Sequence, residues 1–350
     1  MTNDAALPAP ASRHALALLR FPDPRTAWVV VTVATLTAPV DDLAGRLAAL
    51  AERVPVVGAR LDGETWVAGD LPEPMVVDGD PLGHPATDAP FDLATSSPLR
   101  LVVSADGRRL AVVGHHAAFD GLALMAVLGA LTAGLEPQPV SSPPPGEAGS
   151  KLPLLQRLAR PADPVAPTPG VWPGDAYASE AVALGGKQIT GQIAAAATAA
   201  AVAHNRRLDR RLAKVGLTIA VGGPAGVGNV ASYRRIDVAP SDPIADLVSE
   251  ALATPTEPGE QVSAPKALMA ALGPVVERFS DTLLISNLGR QDVPGVERLD
   301  FFPVARGRSA VCIGAATITG RETSLTIRAR DLSPGDARRL LADAKARLEA

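Results

Sequence analysis

"AVVGHHAAFDGLAL", residues 111–124, sets the reading of the whole chain. An apolar run ends on two adjacent histidines, His115 and His116, and Asp120 and Gly121 follow at once. The chain has five histidines in all, so a pair in one place asks for a reason. The run before the pair predicts a buried strand, the second of a hairpin in "PLRLVVSADGRRLAVVGHH" that turns at Ala105, Asp106 and Gly107. "DGLALMAVLGALTAGL" after it predicts a helix. The motif therefore lies between a strand end and a helix start. A neutral imidazole is the natural general base near pH 7, and a histidine where the chain leaves a sheet can project into a cleft. Asp120 can orient the His116 ring or pair with an arginine and lock the loop. Gly121 lets another group approach the backbone closely. Two surface-loop histidines before an ordinary helix start fit the same letters.

Outward from the motif, the first part of the chain alternates strands and helices. "TAWVVVTVATL" is rich in β-branched residues and predicts a buried strand. In "PVDDLAGRLAALAERVP", Leu43, Leu47, Leu50 and Val54 recur at helical spacing. "VVGARLDGETWVAG" predicts two short strands around Asp62-Gly63. From Glu136 to about Ala178 the texture becomes dense in Pro, Gly and Ser, which predicts a linker or crossover with a short helix at "KLPLLQRLA". A long alanine-rich helix near Gln188 to Lys214 restarts the alternation. Strands follow at "GLTIAVGG", "GVGNVASYRRIDV" and "DTLLISNLGR", and a hairpin at "SAVCIGAATIT" and "TSLTIRARD". Helices are expected at "DPIADLVSEALA" and "PKALMAALGPVVERF". "SPGDARRLLADAKARLEA" is a final helix with Ser333 as its N-cap and Pro334 in its first turn. The division is an N-terminal lobe over 1–135, a crossover over 136–178 and a C-terminal lobe over 179–350. The shared alternation indicates two similarly built α/β lobes.

Composition narrows the classes. Of 350 residues, 47% are hydrophobic and 20% charged, enough for a real core. The net charge of −4 argues against a nucleic-acid binder. The single cysteine, Cys312, forbids an intramolecular disulfide or a cysteine-based metal cluster, and no metal is expected. No basic segment followed by a long apolar core opens the chain, and the most apolar window is about half a membrane span. A cytoplasmic protein is expected.

The His-His-x-x-x-Asp-Gly pattern resembles the HHxxxDG signature of the condensation-domain superfamily of acyltransferases. That superfamily includes nonribosomal peptide condensation domains, polyketide-associated acyltransferases, wax-ester synthases and plant CoA-dependent acyltransferases. The resemblance covers most of the chain. "VDDLAGRLAALAERVPVVGARL", "APFDLATSSPLRLVV" and "GVGNVASYRR" are similar to family segments, and "ISNLGR" to its Ser-Asn turn. "LDFFPV" keeps Asp300 and Phe301 of an Asp-Phe-Gly-Trp-Gly motif but lacks both glycines and the tryptophan.

The resemblance implies two chloramphenicol-acetyltransferase-like lobes, each a mixed sheet flanked by helices, arranged in a V with the active site between them. It implies an acyltransferase working on a thioester of coenzyme A or carrier-protein phosphopantetheine, with a hydroxyl or amine acceptor. Specialised-metabolite or lipid biosynthesis is the setting it implies. Amide formation, cyclisation, or a non-catalytic scaffold that binds a carrier protein are alternatives. His116 is then the base, His115 packs or orients, and Ser286 donates to the oxyanion. Asp120 pairs with an arginine, Arg234 by spacing or else Arg235. Gly121 lines the approach channel, and Asn287 and Arg290 belong to the Ser-Asn turn. No permanently bound cofactor is implied.

The remaining candidates read differently. His14, His84 and His204 are expected at the surface, and Cys312 in the core. "GGPAGVG" lacks the Lys-Ser/Thr of a phosphate loop. "HNRRLDRRLAK" reads as a solvated basic helix end, or as a dock for an acidic carrier protein or coenzyme A phosphates.

Overall fold

The computed structural model describes residues 6–21, 25–140, 159–223, 226–254, 281–307 and 310–350. The expected helix at "PKALMAALGPVVERF" lies outside these residues, and so does the one at "KLPLLQRLA" except for Ala159. The first part of the chain runs β1 (Ala9–Pro10), α1 (Arg13–Leu19), β2 (Val29–Leu36), α2 (Leu43–Arg53), β3 (Ala59–Asp62), β4 (Thr65–Ala68), β5 (Met75–Val77), α3 (Pro85–Asp88), β6 (Leu99–Ser104), β7 (Arg109–His115) and α4 (Gly121–Ala133). The rest runs β8 (Asp175–Val182), α5 (Ile189–Arg207), β9 (Val215–Val221), β10 (Ser232–Val238), α6 (Ile244–Ala253), β11 (Leu283–Gln291), β12 (Val296–Phe302), β13 (Val311–Ile318), β14 (Thr323–Arg330) and α7 (Pro334–Leu348). The strand β8 begins inside the segment read as linker.

Two large mixed sheets carry the lobes. One has the order β12-β2-β7-β6-β5, the other β10-β9-β11-β13-β14-β8, and a small β1-β4-β3 sheet sits beside the first. In the first, β5 and β6 are parallel; in the second, β11 runs parallel to both β9 and β13. Strand β12 comes from late in the chain yet pairs with β2, with Asp300 opposite Val33 and Phe301 opposite Thr32. One lobe thus completes the sheet of the other.

The sheet of the first lobe is covered on both faces. In β2, Val30, Ala34 and Leu36 join the cluster that holds α4, while Val29, Val31 and Val33 join a cluster with Phe302 on the opposite face. In β7, Leu110 and Val112 face α4 and Ala111 and Val113 face the other way. That double burial explains the unbroken apolar runs. Helix α4 is apolar all round because it too is buried nearly throughout. It packs so closely on β7 that a Cβ on Gly114 would lie 2.8 Å from Leu124. The C-terminal lobe has its own core around α5, α7, β9, β11, β13 and β14.

Buried polar groups lock the lobes together. Asp300, 2% exposed, accepts from Ser324 Oγ, from Arg298 Nε at 2.9 Å and from Ser179 Oγ at 3.3 Å. Tyr177 on β8 donates to Asp88 on α3, and Arg328 on β14 donates to the carbonyl of Val29. Asp300 and Phe301 therefore close the lobes without the glycines and tryptophan of the family motif. Of the histidines expected at the surface, one is buried and another, part-exposed, is a helix cap. His204 is 1% exposed, and its Nε2 donates to the Ala166 carbonyl at 2.8 Å. His84 caps α3, its Nδ1 accepting from the Ala86 amide at 3.2 Å. No described helix is long and apolar enough to cross a membrane.

Candidate active site

His116 is buried where β7 leaves the sheet, and three contacts fix it. Its amide donates to the Trp28 carbonyl at 2.7 Å. Trp28 has φ 50°, an unusual backbone for a bulky residue. On the ring, Nδ1 lies 3.0 Å from the Phe119 carbonyl oxygen and Nε2 lies 2.9 Å from the Tyr233 hydroxyl. A carbonyl can only accept, so Nδ1 carries the proton in a neutral ring and Nε2 keeps its lone pair. Burial, with Arg306 nearby, pushes the pKa of His116 down to about 4 against the pull of the Phe119 carbonyl, so the ring is neutral at pH 7. His115 turns away: its Nδ1 accepts from the Ala117 amide at 3.1 Å and its ring meets Phe91 edge-on. Burial and the neighbouring His116 push its pKa down to about 3. It packs on Phe91 and holds the turn.

Asp120 has a different partner from the one expected. Its Oδ1 accepts from the Ala123 amide at 2.9 Å and so caps α4. Its Oδ2 accepts from the Val230 amide at 3.0 Å, in the C-terminal lobe. Burial pushes its pKa up, and the amides of Ala123, Val230, Ala231 and Leu122 pull it back. Neither arginine reaches it. Arg234 donates to the Thr254 carbonyl at 2.6 Å, and Arg235 binds Asp281 and Asp237. Alternation along β10 accounts for Arg234, whose side chain leaves the face opposite Tyr233; Arg235 shares the Tyr233 face but is held by its two aspartates, and it is Tyr233 that meets the motif. The same loop adds two further ties. Asn229 Nδ2 donates to the His116 carbonyl, and the Asp120 amide donates to Gly228 O at 3.2 Å.

These groups surround a cavity of about 40 Å³ between the lobes, room for a few waters at most. Trp28, His116, Tyr233, Ser286, Phe301 and Arg306 are among its walls. Ser286 is 8% exposed on β11, and among the described residues its hydroxyl makes no hydrogen bond. Gly121 also lines the cavity, for a reason of packing. A Cβ there would lie 2.8 Å from both Phe301 Cζ and Leu288 Cδ2, and its φ is not positive. Neither a left-handed backbone nor open space for a larger side chain exists at this position. Asn287 and Arg290 do not line the cavity. Asn287 accepts from Gly289 N at 2.8 Å and donates to Thr190 Oγ1 at 3.1 Å, shaping the bulge in β11, and Arg290 is exposed beyond it.

Four groups escaped the sequence reading. Tyr233 and Trp28 touch His116 directly. Arg306 stands over the Tyr233 ring, its guanidinium carbon 5.3 Å from the centroid. His14, expected at the surface, meets His116 edge-on with ring centroids 6.4 Å apart. Burial, His116 and Arg306 push its pKa down to about 4, against the pull of Asp120. Only Tyr233 carried a signal. The chain has two tyrosines, and one falls within "GVGNVASYRR", a segment similar to one of the family's.

No family model matches the sequence, and no curated protein matches it. Solved structures do match over nearly the whole chain. The epimerization domain from the third module of tyrocidine synthetase B is 13% identical with a TM-score of 0.58, covering 99% of this chain and 96% of that one. The starter condensation domain of rhizomide synthetase, solved with C8-CoA and Leu-SNAC, is 12% identical with a TM-score of 0.57, covering 100% and 97%. The first condensation domain of the calcium-dependent antibiotic synthetase, with a substrate analogue, is 15% identical with a TM-score of 0.55, covering 99% and 96%. The chain has the condensation-domain fold, the paired chloramphenicol-acetyltransferase-like lobes that the HHxxxDG resemblance implied.

Proposed function

We propose that this protein is an acyltransferase that moves an acyl group from a thioester to a hydroxyl or amine. The donor in this reading is acyl-CoA or acyl-phosphopantetheine on a carrier protein, and no bound cofactor is required. One observation carries it: a neutral His116, its Nδ1 proton fixed on Phe119 O, keeps an unprotonated Nε2 against the Tyr233 hydroxyl at the cavity between the lobes. The acceptor attacks the thioester carbonyl while its proton passes to His116. Ser286 is the donor available to the oxyanion. Collapse then breaks the carbon–sulfur bond and returns the proton to the thiolate. The protein contributes positioning and charge stabilisation, because the thioester is already activated. Fold relatives from the tyrocidine and rhizomide synthetases favour specialised-metabolite biosynthesis over lipid assembly.

The size of the cavity favours a second reading, a carrier-binding scaffold without turnover. A space of about 40 Å³ does not hold a pantetheine arm, so catalysis requires it to widen. Incubation with acyl-CoA and acyl-N-acetylcysteamine thioesters, with amines and alcohols as acceptors, separates the two. Thiol release and product mass are the readouts. The catalytic reading expects His116→Ala to lower turnover by about 100-fold or more with the melting temperature retained, and His115→Ala to cost less. Equal thiol release by wild type and His116→Ala would overturn it. Carrier-protein binding by a wild type without turnover would establish the scaffold.

A further inference from the structure

We infer that Tyr233 is a second acid–base residue, standing between His116 and the acceptor and relaying the acceptor's proton to the imidazole. This deepens the acyl-transfer reading and rests on it.

The ring atoms of His116 require such a group. With Nδ1–H committed to Phe119 O at 3.0 Å, Nε2 is the only site that can take a proton. That site already accepts from the Tyr233 hydroxyl at 2.9 Å. An acceptor therefore reaches the base only if Tyr233 leaves or if Tyr233 conducts. The surroundings oppose its leaving. Its backbone is fixed in β10 opposite Ala220 on β9, and its ring packs on Leu284, Ala305, Ala310 and Cys312. Arg306 also lies over the ring, its guanidinium carbon 5.3 Å from the centroid. Conduction needs no movement. The hydroxyl donates to His116 through its one hydrogen and retains lone pairs for an incoming O–H or N–H. Arg306 suits the task. Burial raises the pKa of Tyr233, and the guanidinium opposes that rise, favouring the phenolate character that develops during transfer. Among the described residues Arg306 makes no hydrogen bond, and its ion-pair partner Asp281 is 3.8 Å away, so its charge remains available to the ring.

The step balances. As the acceptor heteroatom bonds to the thioester carbon, its proton moves to Tyr233 Oη and the original Tyr233 proton moves to His116 Nε2. The products are a tetrahedral oxyanion and an imidazolium. On collapse the carbon–sulfur bond breaks, the imidazolium returns a proton to Tyr233, and Tyr233 gives one to the departing thiolate. The enzyme ends as it began, and nothing is oxidised or reduced.

Tyr233→Phe removes one oxygen and leaves the packed ring. With a thioester that wild type turns over and His116→Ala does not, the variant is expected to lose about 100-fold in kcat with donor KM unchanged and the fold retained. A proton inventory in mixed light and heavy water adds a readout that a packing role would not move. It should be curved in wild type, with two protons in flight, and linear in the residual activity of the variant. Full or increased turnover by Tyr233→Phe would overturn the relay while leaving His116-dependent acyl transfer standing. Turnover independent of His116 would overturn both. The bond itself can be read without substrate. Biosynthetic 3-fluorotyrosine labels only two positions, and Tyr177→Phe leaves Tyr233 alone. Its fluorine resonance should shift on His116→Ala, and a resonance that does not move would overturn the proposal whatever the acyl donor.

Discussion

Asp120 separates two physical accounts of the motif, and its replacement can be costed from its contacts. Asp120→Ala removes the cap of α4, worth about 1 kcal/mol. It also deprives the Val230 amide of its acceptor across the lobe boundary, worth about 1–2 kcal/mol for a partly buried donor. The sum is about 2–3 kcal/mol. Asp120→Ser should recover about 1 kcal/mol, since a hydroxyl caps a helix but does not reach a second amide in the other lobe. Had the carboxylate paired with Arg234, its loss would strand a buried cation at about 3–5 kcal/mol, and removing the arginine as well would relieve the cost. The assay is urea denaturation of Asp120→Ala, Arg234→Ala and the double variant. Additivity within about 0.5 kcal/mol is expected, because Arg234 is bound to Thr254 O. Relief in the double variant would refute the backbone-clamp account. Activity should fall together with stability in Asp120→Ala, since the loop that Asp120 holds also carries Asn229, which binds the His116 carbonyl.

Two other predictions follow from the same geometry. Gly121→Ala places a Cβ 2.8 Å from Phe301 Cζ and should lower stability by about 1–3 kcal/mol, with Gly121→Leu costing more and Phe301→Leu partly rescuing Gly121→Ala; a leucine variant of normal stability would show that the contact is not tight. Burial holds His14, His115 and His116 at pKa values of about 4, 3 and 4 against an ordinary 6.5, so the unfolded chain binds more protons below pH 6.5. Stability is then whole above 6.5 and lost as pH falls toward 4 and 3, by up to about 1.4 kcal/mol per pH unit per histidine, and His115→Leu should flatten that decline in urea titrations. A slope unchanged in His115→Leu would show that other groups govern it.

The parts of the fold legible in the sequence are those whose causes are local. The run into His115 is β-branched and apolar, and the Asp120 cap and Gly134, at φ 65°, bracket α4 in the letters themselves. The hairpin turns at Gly63 and Gly107 need positive φ, which glycine announces. What escaped has non-local causes. Strand β12 joins a sheet built from residues more than 180 positions earlier, and nothing in "VERLDFF" names that partner. Strand β8, "DAYASEAV", has little β-propensity of its own and is held by β14 on one edge and by Tyr177 and Asp175 contacts. His14 reaches the site only because α1 packs there, and spacing along the chain cannot express that.

The motif is written in one half of the sequence, but its geometry is held by the other. Gly228, Asn229 and Val230 bind the Asp120 amide, the His116 carbonyl and the Asp120 carboxylate. Phe301 presses on Gly121, and Tyr233 occupies His116 Nε2. Each tie is a short-range contact of a kind that fails within about 1 Å of misplacement. HHxxxDG on an isolated first lobe would keep its letters and its strand, yet would lose the clamp on its loop, the donor on its base and one edge strand of its sheet. Changes anywhere along the β12–β2 seam or in the 228–230 loop should therefore reach activity through the position of His116, even where they touch nothing in the cavity.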